Sequence, residues 1–437
     1  MAYPTFSKDT RSLLPGEYYV AIQGESFDGH DFIPKALQQG AAGLVVERPI
    51  PNLPQHVEVI VTENAIAWLV AQAQQRIREL QPKIVGITGS VGKTSTRKAV
   101  AHVLRGAFPV VEPQGNLNTP LGLALTILNG LTESGSVLVL EMGARNTGDI
   151  LELTQMFRPD VSVVTTVQGV HLETFGTIDH ITAEKGVIVA ALTENGIACL
   201  NYDDPRVRSM ADRCKGRVLF YSAHAATTEI VADLIPKPYP ILGAHAIYTI
   251  LAAYSVGTAL GLSRAQMLPQ IQTMRSEKGR LSKLPGKNGA MLIDDTYNAA
   301  PAAVLSALET LEELTAGEKV AFLGDMLELG TEEAVSHQVV IQRAKPLVNR
   351  LFLVGPRMKS ALEVLGLTHA PSVFWYPDSQ TLADALRHEV YQPHPKAVLL
   401  VKGSQGLRME RVSEALLDPA VAPESVLVRQ DKAWKSK

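Results

Sequence analysis

The chain has 437 residues, which at roughly 150 residues per domain suggests about three domains, each able to bury a core. Forty-one Lys and Arg stand against forty-four Asp and Glu, a formal charge of −3 that advertises no basic surface for nucleic acid or anionic lipid and points to a small-molecule partner. The two cysteines, Cys199 and Cys214, make no CxxC and no His/Cys cluster at metal-ligand spacing, which fits a reducing, cytoplasmic setting and argues against structural zinc.

The opening "MAYPTFSKDTRSLLPGEYYV" lacks a basic segment followed by an apolar core, so it does not read as a signal peptide. Residues 1–81 mix strand-like "EYYVAI" and "AGLVVE" with the helical "ENAIAWLVAQAQQRIREL" and close at Pro82, a small α/β domain. Over 82–275 the runs "KIVGIT", "VLVLEMG", "VSVVTTV", "GIACLN" and "VLFYSA" alternate with helical stretches, which implies a parallel sheet with helices on both faces. Ala246 to Leu262 carries no charge but falls just short of the roughly 20 residues that span a bilayer, and its Thr, Tyr, Ser and Gly favour a buried helix between domains. No membrane span is expected. The charged "RSEKGR" marks a joint, and 276–437 repeats the alternation with "AMLIDDTY", "KVAFLGDM", "RLFLVG" and "AVLLVKGS", a third α/β domain of dinucleotide-fold type.

The sharpest motif is "VGITGSVGKTSTRKAV", residues 85–100: an apolar strand, a glycine turn, then a helix with Ala99, Val100, Val103 and Leu104 in phase. That context suits a phosphate loop formed by Gly89, Ser90, Val91, Gly92, Lys93, Thr94 and Ser95. Glycines let backbone N–H groups converge on phosphate, the helix N-terminus adds positive charge, Lys93 reaches the terminal phosphates and Thr94 can ligate Mg²⁺. The strict GxxxxGK[ST] pattern fails, because Ile87 stands where its first glycine belongs. Glu141 ends the strand "VLVLE", where a second Mg²⁺-holding carboxylate is expected, although alone it reads equally as a surface residue. His171 taken alone is a structural histidine and Lys185 a solvated helix residue.

Taken in order, "GITGSVGKTST", "GNLNTPLG", "EMGARNTGDI", "HLETFG" with "AEKG", "GAHAIYTILAA", "DDTYNAAP", "LGDMLELG" and "VKGS" resemble the Mur ligase family of ATP-dependent amino-acid and peptide ligases. "DDTYNAAP" and "LGDMLELG" are most similar to the branch that joins D-alanyl-D-alanine to UDP-N-acetylmuramoyl-tripeptide, and the N-terminal "DTRSLLPGEYYVAIQGESFDGHDF" to its UDP-sugar domain. The resemblance implies transfer of the ATP γ-phosphoryl group to a substrate carboxylate, attack of an amine on the acyl phosphate, and release of phosphate. It implies catalytic roles for Lys93, Lys185 and His171. One Mg²⁺ would sit on Thr94 and Glu141, and a second on His171, Glu141 and a carbamylated Lys185. His245, Thr249, Arg280, Asp295 and Asn298 would contact the nucleotide. Thr10, Arg11, Gly24, Asp28 and His30 would hold the uridine and diphosphate, and Asn116, Asn118 and Thr119 the sugar peptide or acyl phosphate, while "LGDMLELG" with His337 would shape the domain that presents the dipeptide. A monomer is implied.

The sequence departs from the family pattern at the adenine-facing positions, where Ala246 and Thr249 stand for two asparagines, and at Pro120, Ala300 and Gln405. An Asn amide pairs with both a donor and an acceptor edge of adenine, whereas Ala offers nothing and Thr only a hydroxyl. An active ligase with an altered nucleotide or dipeptide pocket follows. The alternatives are a family member adding the third peptide residue, a non-catalytic nucleotide-binding relative, and a phosphate-loop kinase.

Overall fold

The computed structural model describes residues 3–24, 27–115, 117–169, 172–243, 246–431 and 434. Its strands form three sheets, giving the three α/β domains expected. The first comprises β1 (Phe6–Ser7), β2 (Tyr18–Val20), β3 (Gly43–Val46) and β4 (Glu58–Val61), in that order and all parallel. The second is built from β5 (Lys83–Thr88), β6 (Val110–Val111), β7 (Val137–Glu141), β8 (Val161–Val164), β9 (Ile197–Asn201), β10 (Arg217–Ser222) and β11 (Ile230–Val231). Its spatial order is β11-β10-β9-β8-β5-β7-β6, every pair parallel. The third comprises β12 (Ser282–Pro285), β13 (Met291–Asp295), β14 (Glu318–Gly324), β15 (Arg350–Val354), β16 (Val373–Tyr376) and β17 (Ala397–Lys402) in the order β12-β13-β17-β14-β15-β16, with only β12 antiparallel to its neighbour.

The chain divides into two compact units, Met1–Lys237 with Ile247–Gln272, and Pro238–Ala246 with Thr273–Lys437. The first unit contains both of the first two sheets. One face of the N-terminal sheet carries its own cluster of Leu13, Tyr19, Ala21, Ile33 and Leu44. The other contributes Phe6, Val20 and Val45 to a core shared with Leu69 of the helix Ala65–Leu80 and with Leu123, Ile127 and Leu138. Asn129 locks this junction, its side-chain oxygen accepting the Phe6 N–H and its amide donating to the Phe6 carbonyl, both at 2.8 Å.

Helix boundaries follow local chemistry. The Asn64 side chain caps the helix Ala65–Leu80 through the Ala67 N–H, and the helix stops at Gln81 in the left-handed region (φ 46) just before Pro82. Thr119 caps the helix Pro120–Gly130 with proline at its first position. Strands β7, β8 and β17 are buried at every residue, which is why they read as continuous apolar runs without alternation. The apolar stretch starting at Ala246 forms the helix Ala246–Ala259, and among the described residues no helix is long and apolar enough to cross a membrane.

In the second sheet the chain leaves β5 toward β6 and β7 on one side and β8 on the other. The crevice beyond the carboxyl end of such a strand is where α/β sheets bind ligands.

Candidate active site

The phosphate-loop sequence occupies that crevice. Register sets Ile87 opposite Glu141 and Thr88 opposite Val164, so the loop, the end of β7 and Thr165 stand at one level. Gly89 has φ 149, and a Cβ there would lie 1.9 Å from Thr165 Oγ1. That hydroxyl donates to the Val91 carbonyl at 2.6 Å and so fixes the loop from outside. Gly92 takes φ 84 as the residue before the helix Lys93–Leu104, a conformation glycine adopts at no steric cost. Ser90 is held on both sides: its N–H donates to the Thr166 carbonyl at 2.7 Å and its Oγ accepts the Gln168 N–H at 2.9 Å. Ser95 lies in the first turn of the helix, half-buried.

Lys93 Nζ donates to the carbonyls of Gly89 and Ser90 at 2.9 and 3.2 Å, which holds its charge over the loop. Thr94 Oγ1 donates to Glu141 Oε2 at 2.9 Å, and Asn118 Nδ2 approaches the other oxygen, Oε1, at 3.4 Å. Asn118 passes close to Gly143, where a Cβ would come within 2.8 Å of its Nδ2. Two neighbouring ligands on an octahedral Mg²⁺, each about 2.1 Å from the metal, stand about 3 Å apart. The Thr94–Glu141 pair is therefore spaced as such ligands are, and its hydroxyl-and-carboxylate oxygens suit that metal. Among the described residues no group of three or more His, Cys, Asp or Glu gathers as a metal site.

Lys185 belongs to the helix Ile178–Ala190 and is buried, at 4% exposure. Burial, with the nearby Lys93 ammonium second, pushes its pKa down from 10.5 to about 8, and the neighbouring Glu184 carboxylate opposes this in part. Glu184 is itself tied down, accepting the N–H groups of Gly148 and Ile150 at 2.9 and 2.8 Å at the start of the helix Asp149–Met156. Helix and "EMGARNTGDI" loop are thus fastened together beside Lys185. His171, His245 and Asn116 lie outside the described residues.

The N-terminal residues singled out by the sequence are engaged among themselves. Asp28 accepts the His30 N–H at 2.9 Å, lies 2.7 Å from His30 Nδ1 and pairs with Arg48 at 2.6 Å, and these partners hold its carboxyl well below the usual range. His30 Nε2 accepts the Glu47 N–H at 3.0 Å, so Nδ1 carries the proton and the ring is a buried strut. Arg11 is exposed and paired with Asp9, while Thr10 is buried and Gly24 donates its N–H to the Phe27 carbonyl at 2.9 Å. Thr119 caps its helix through the Gly122 N–H.

In the second unit, β13 and β17 pair with Asp295 opposite Lys402, and Lys402 Nζ reaches Asp295 Oδ2 at 2.6 Å and the Asn298 carbonyl at 3.0 Å. The Leu281 N–H donates to Asp295 Oδ1 at 3.2 Å, and the Gln405 N–H to Asn298 Oδ1 at 3.3 Å. The Arg280 guanidinium lies 4.3 Å over the Tyr297 ring. His337 accepts the Met326 N–H at 3.0 Å and so fixes the loop "LGDMLELG". Thr249 is half-buried on the helix Ala246–Ala259 in the first unit.

Sequence reasoning missed Arg97, Glu184 and Lys402. A charged residue ending the wholly apolar run "AVLLV" was a signal for Lys402, and Arg97, four residues after Lys93, lies in phase with it on one helix face. Nothing local marked Glu184.

Comparisons with known proteins cover all three domains. Residues 7–81 match the Mur ligase family catalytic domain, 87–238 the Mur ligase middle domain and 279–405 the Mur ligase glutamate ligase domain. The UDP-N-acetylmuramoyl-tripeptide--D-alanyl-D-alanine ligase of Synechocystis sp. is 31% identical over 428 residues, covering 96% of this chain and 92% of the relative. The enzyme of that name in Escherichia coli is 30% identical over 431 residues, covering 93% and 92%. The crystal structure of MurF ligase from Thermotoga maritima in complex with ADP is 28% identical with a TM-score of 0.77, covering 94% of this chain and 97% of that one.

Proposed function

The chain belongs to the Mur ligase family, and from that premise we propose that it joins D-alanyl-D-alanine to UDP-N-acetylmuramoyl-tripeptide at the expense of ATP, a step in making peptidoglycan precursor. The observation that carries this reading is the convergence at the ends of β5 and β7. There a glycine loop, Lys93, a hydroxyl and a carboxylate meet, with Lys185 near enough for its charge to be felt by Lys93. Such a set suits phosphoryl transfer, which needs positive charge and alignment rather than covalent catalysis.

Lys93 and the loop N–H groups hold the β and γ phosphates of ATP, and the γ-phosphoryl group passes to an oxygen of the tripeptide's terminal carboxylate as its bond to the β-phosphate oxygen breaks and ADP leaves. The dipeptide amine then attacks the carbonyl carbon. A C–N bond forms, the C–O bond to phosphate breaks, and the amine loses a proton. Thr94 and Glu141 would hold Mg²⁺, which would supply positive charge against the transferring group. A second metal ion would be held by His171, Glu141 and Lys185. For this Lys185 reacts as a neutral amine with carbon dioxide and releases a proton, so that an ammonium becomes a carboxylate-like ligand; the depressed pKa supports this. Asn118, hydrogen-bonded to Glu141, and Thr119 face the acyl phosphate or the sugar peptide. The family resemblance assigns Asp295, Asn298, Arg280, Thr249 and His245 to the nucleotide. Thr10, Arg11 and Gly24 contact the uridine diphosphate, with Asp28 and His30 shaping that loop from behind. The protein acts in the cytoplasm as a monomer.

The test is phosphate release with ATP, Mg²⁺ and UDP-N-acetylmuramoyl-tripeptide, with and without D-alanyl-D-alanine, beside Lys185→Ala. Release that requires the dipeptide, yields pentapeptide and disappears in the variant is expected. Release that needs neither the amine nor the sugar peptide, or none at all, would overturn the reading.

A further inference from the structure

Arg97 has no role in that chemistry, yet its side chain is wholly buried and bridges three functional segments. Nη1 donates to Glu112 Oε2 at 2.6 Å and to the Pro113 carbonyl at 2.5 Å, and Nη2 donates to the Gly115 carbonyl at 3.3 Å. Among the described residues Nε has no hydrogen-bond partner, and it lies 3.6 Å from Glu141 Oε2, the oxygen that accepts from Thr94. The segment gripped by the guanidinium runs directly into Asn118, whose amide returns to the other oxygen of Glu141. The contacts therefore close a ring from the phosphate-loop helix, through the 112–115 backbone, to Asn118, Glu141 and back to Arg97.

A guanidinium kept only for packing would spend its donors on carbonyls. Here the Nε nitrogen, the one guanidinium nitrogen without a hydrogen bond among the described residues, lies 3.6 Å from the carboxylate that pairs with Thr94, and the Arg97 charge stands between two carboxylates, Glu112 and Glu141. Glu112 is further tied to Arg105, the residue that follows the same helix, at 2.7 Å. We propose that Arg97 is a positioning residue for the ligation. It makes the phosphate-loop helix, Glu141 and the Asn118–Thr119 segment one body, so that the substrate segment is placed by the same element that binds the nucleotide. The inference rests on the reading of Lys93, Thr94 and Glu141 as the nucleotide and metal site.

The test uses Arg97→Lys, which keeps the charge but cannot make the planar fork, and Glu112→Gln, which keeps Arg97 and weakens one anchor. Hydrogen–deuterium exchange of the 112–119 peptide is measured in each full-length protein with and without Mg·ADP. Mg·ADP affinity, and KM for the sugar peptide against kcat, are measured alongside. In Arg97→Lys, exchange at 112–119 is expected to rise by at least about tenfold, the equivalent of one charge-assisted hydrogen bond. KM for the sugar peptide should rise by a similar factor while Mg·ADP affinity stays within about threefold. Glu112→Gln should move both in the same direction by less. Unchanged exchange and KM in a folded Arg97→Lys protein would overturn the proposal, as would exchange raised throughout the first unit rather than at 112–119. If the wild-type protein shows no dipeptide-dependent phosphate release, the functional reading fails while the exchange measurement still judges the coupling.

Discussion

Gly89→Ala is the substitution whose cost the structure defines most sharply. The backbone there has φ 149, which side chains rarely adopt, and such strain costs about 1–3 kcal/mol. The added Cβ would stand 1.9 Å from Thr165 Oγ1 and 3.1 Å from Thr165 Cβ, so the hydroxyl must leave. Its 2.6 Å bond to the Val91 carbonyl goes with it, at a further cost of about 0.5–1.5 kcal/mol for a part-buried bond. The sum is about 3 kcal/mol, which should lower the unfolding midpoint of the first unit by roughly 6–9 °C and, because the displaced loop carries Ser90 to Lys93, cost at least about tenfold in Mg·ADP affinity. Differential scanning calorimetry and a fluorescent-ADP titration read the two effects. Thr165→Ala removes the colliding hydroxyl, so the double variant should recover about 1–2 kcal/mol relative to additivity while the backbone strain persists. A Gly89→Ala protein that matches wild type in both midpoint and ADP affinity would refute the argument that this glycine is required by the approach of Thr165.

Three further outcomes are expected. With Lys185 near pKa 8, about half of the amine is neutral at pH 8 and about 3% at pH 6.5, so ¹³C-bicarbonate should give a carbamate NMR signal at pH 8 that fades toward pH 6.5 and is missing from Lys185→Ala; a wild-type spectrum without it removes the second metal ligand. Burial raises the Asp294 carboxyl to about 6 against an unfolded value near 3.8, so the fold favours its protonated form and stability falls as pH rises from 4 through 6. Asp294→Asn should therefore gain on wild type across that range by up to about 3 kcal/mol above pH 7, and parallel pH–stability curves for the two would contradict this. Lys402→Met leaves Asp295 buried without its 2.6 Å partner and should destabilise the second unit by about 3–5 kcal/mol in denaturant unfolding, with Asp295→Asn in the same chain restoring part of the loss; a change below about 1 kcal/mol would mean water already shields the pair.

What was legible in the sequence had local causes. The phosphate loop could be read because a strand, two glycines at positive φ and a helix start are specified within about a dozen residues, and Glu141 because an apolar run ends on it. The three sheets were visible for the same reason, since fully buried parallel strands are continuous apolar runs. Non-local pairing was not legible. Arg97 becomes a buried bridge only when Glu112 and the carbonyls of Pro113 and Gly115 fold back against its helix. Lys402 meets Asp295 through a strand register linking positions more than a hundred residues apart. His30 looked like a ligand contact in "GESFDGH", but the Glu47 N–H occupies its free nitrogen, and that partner comes from the end of β3.

The two units arrive at charged sites by the same rule and stabilise them differently, and this sets where each is vulnerable. In the second sheet of the first unit, backbone register puts Glu141 at the level of the loop, and the missing side chains at Gly89 and Gly143 let the chain pass. Apart from the buried Arg97–Glu112 pair behind it, the loop itself is held by hydrogen bonds of modest net value, so within the loop added bulk should do more harm than the loss of one polar contact. In the third sheet the register puts Asp295 beside Lys402, and the ion pair itself holds the strand end and the Asn298 backbone. A buried pair broken on one side leaves an uncompensated charge, so there lost charge should do more harm than added bulk. Departures from the family pattern at Ala246, Thr249, Ala300 and Gln405 avoid both kinds of position, leaving every glycine and every paired charge of the two sites in place. A chain drifting away from catalysis would not be constrained in that way, whereas one that kept phosphoryl transfer while its binding pockets changed would be.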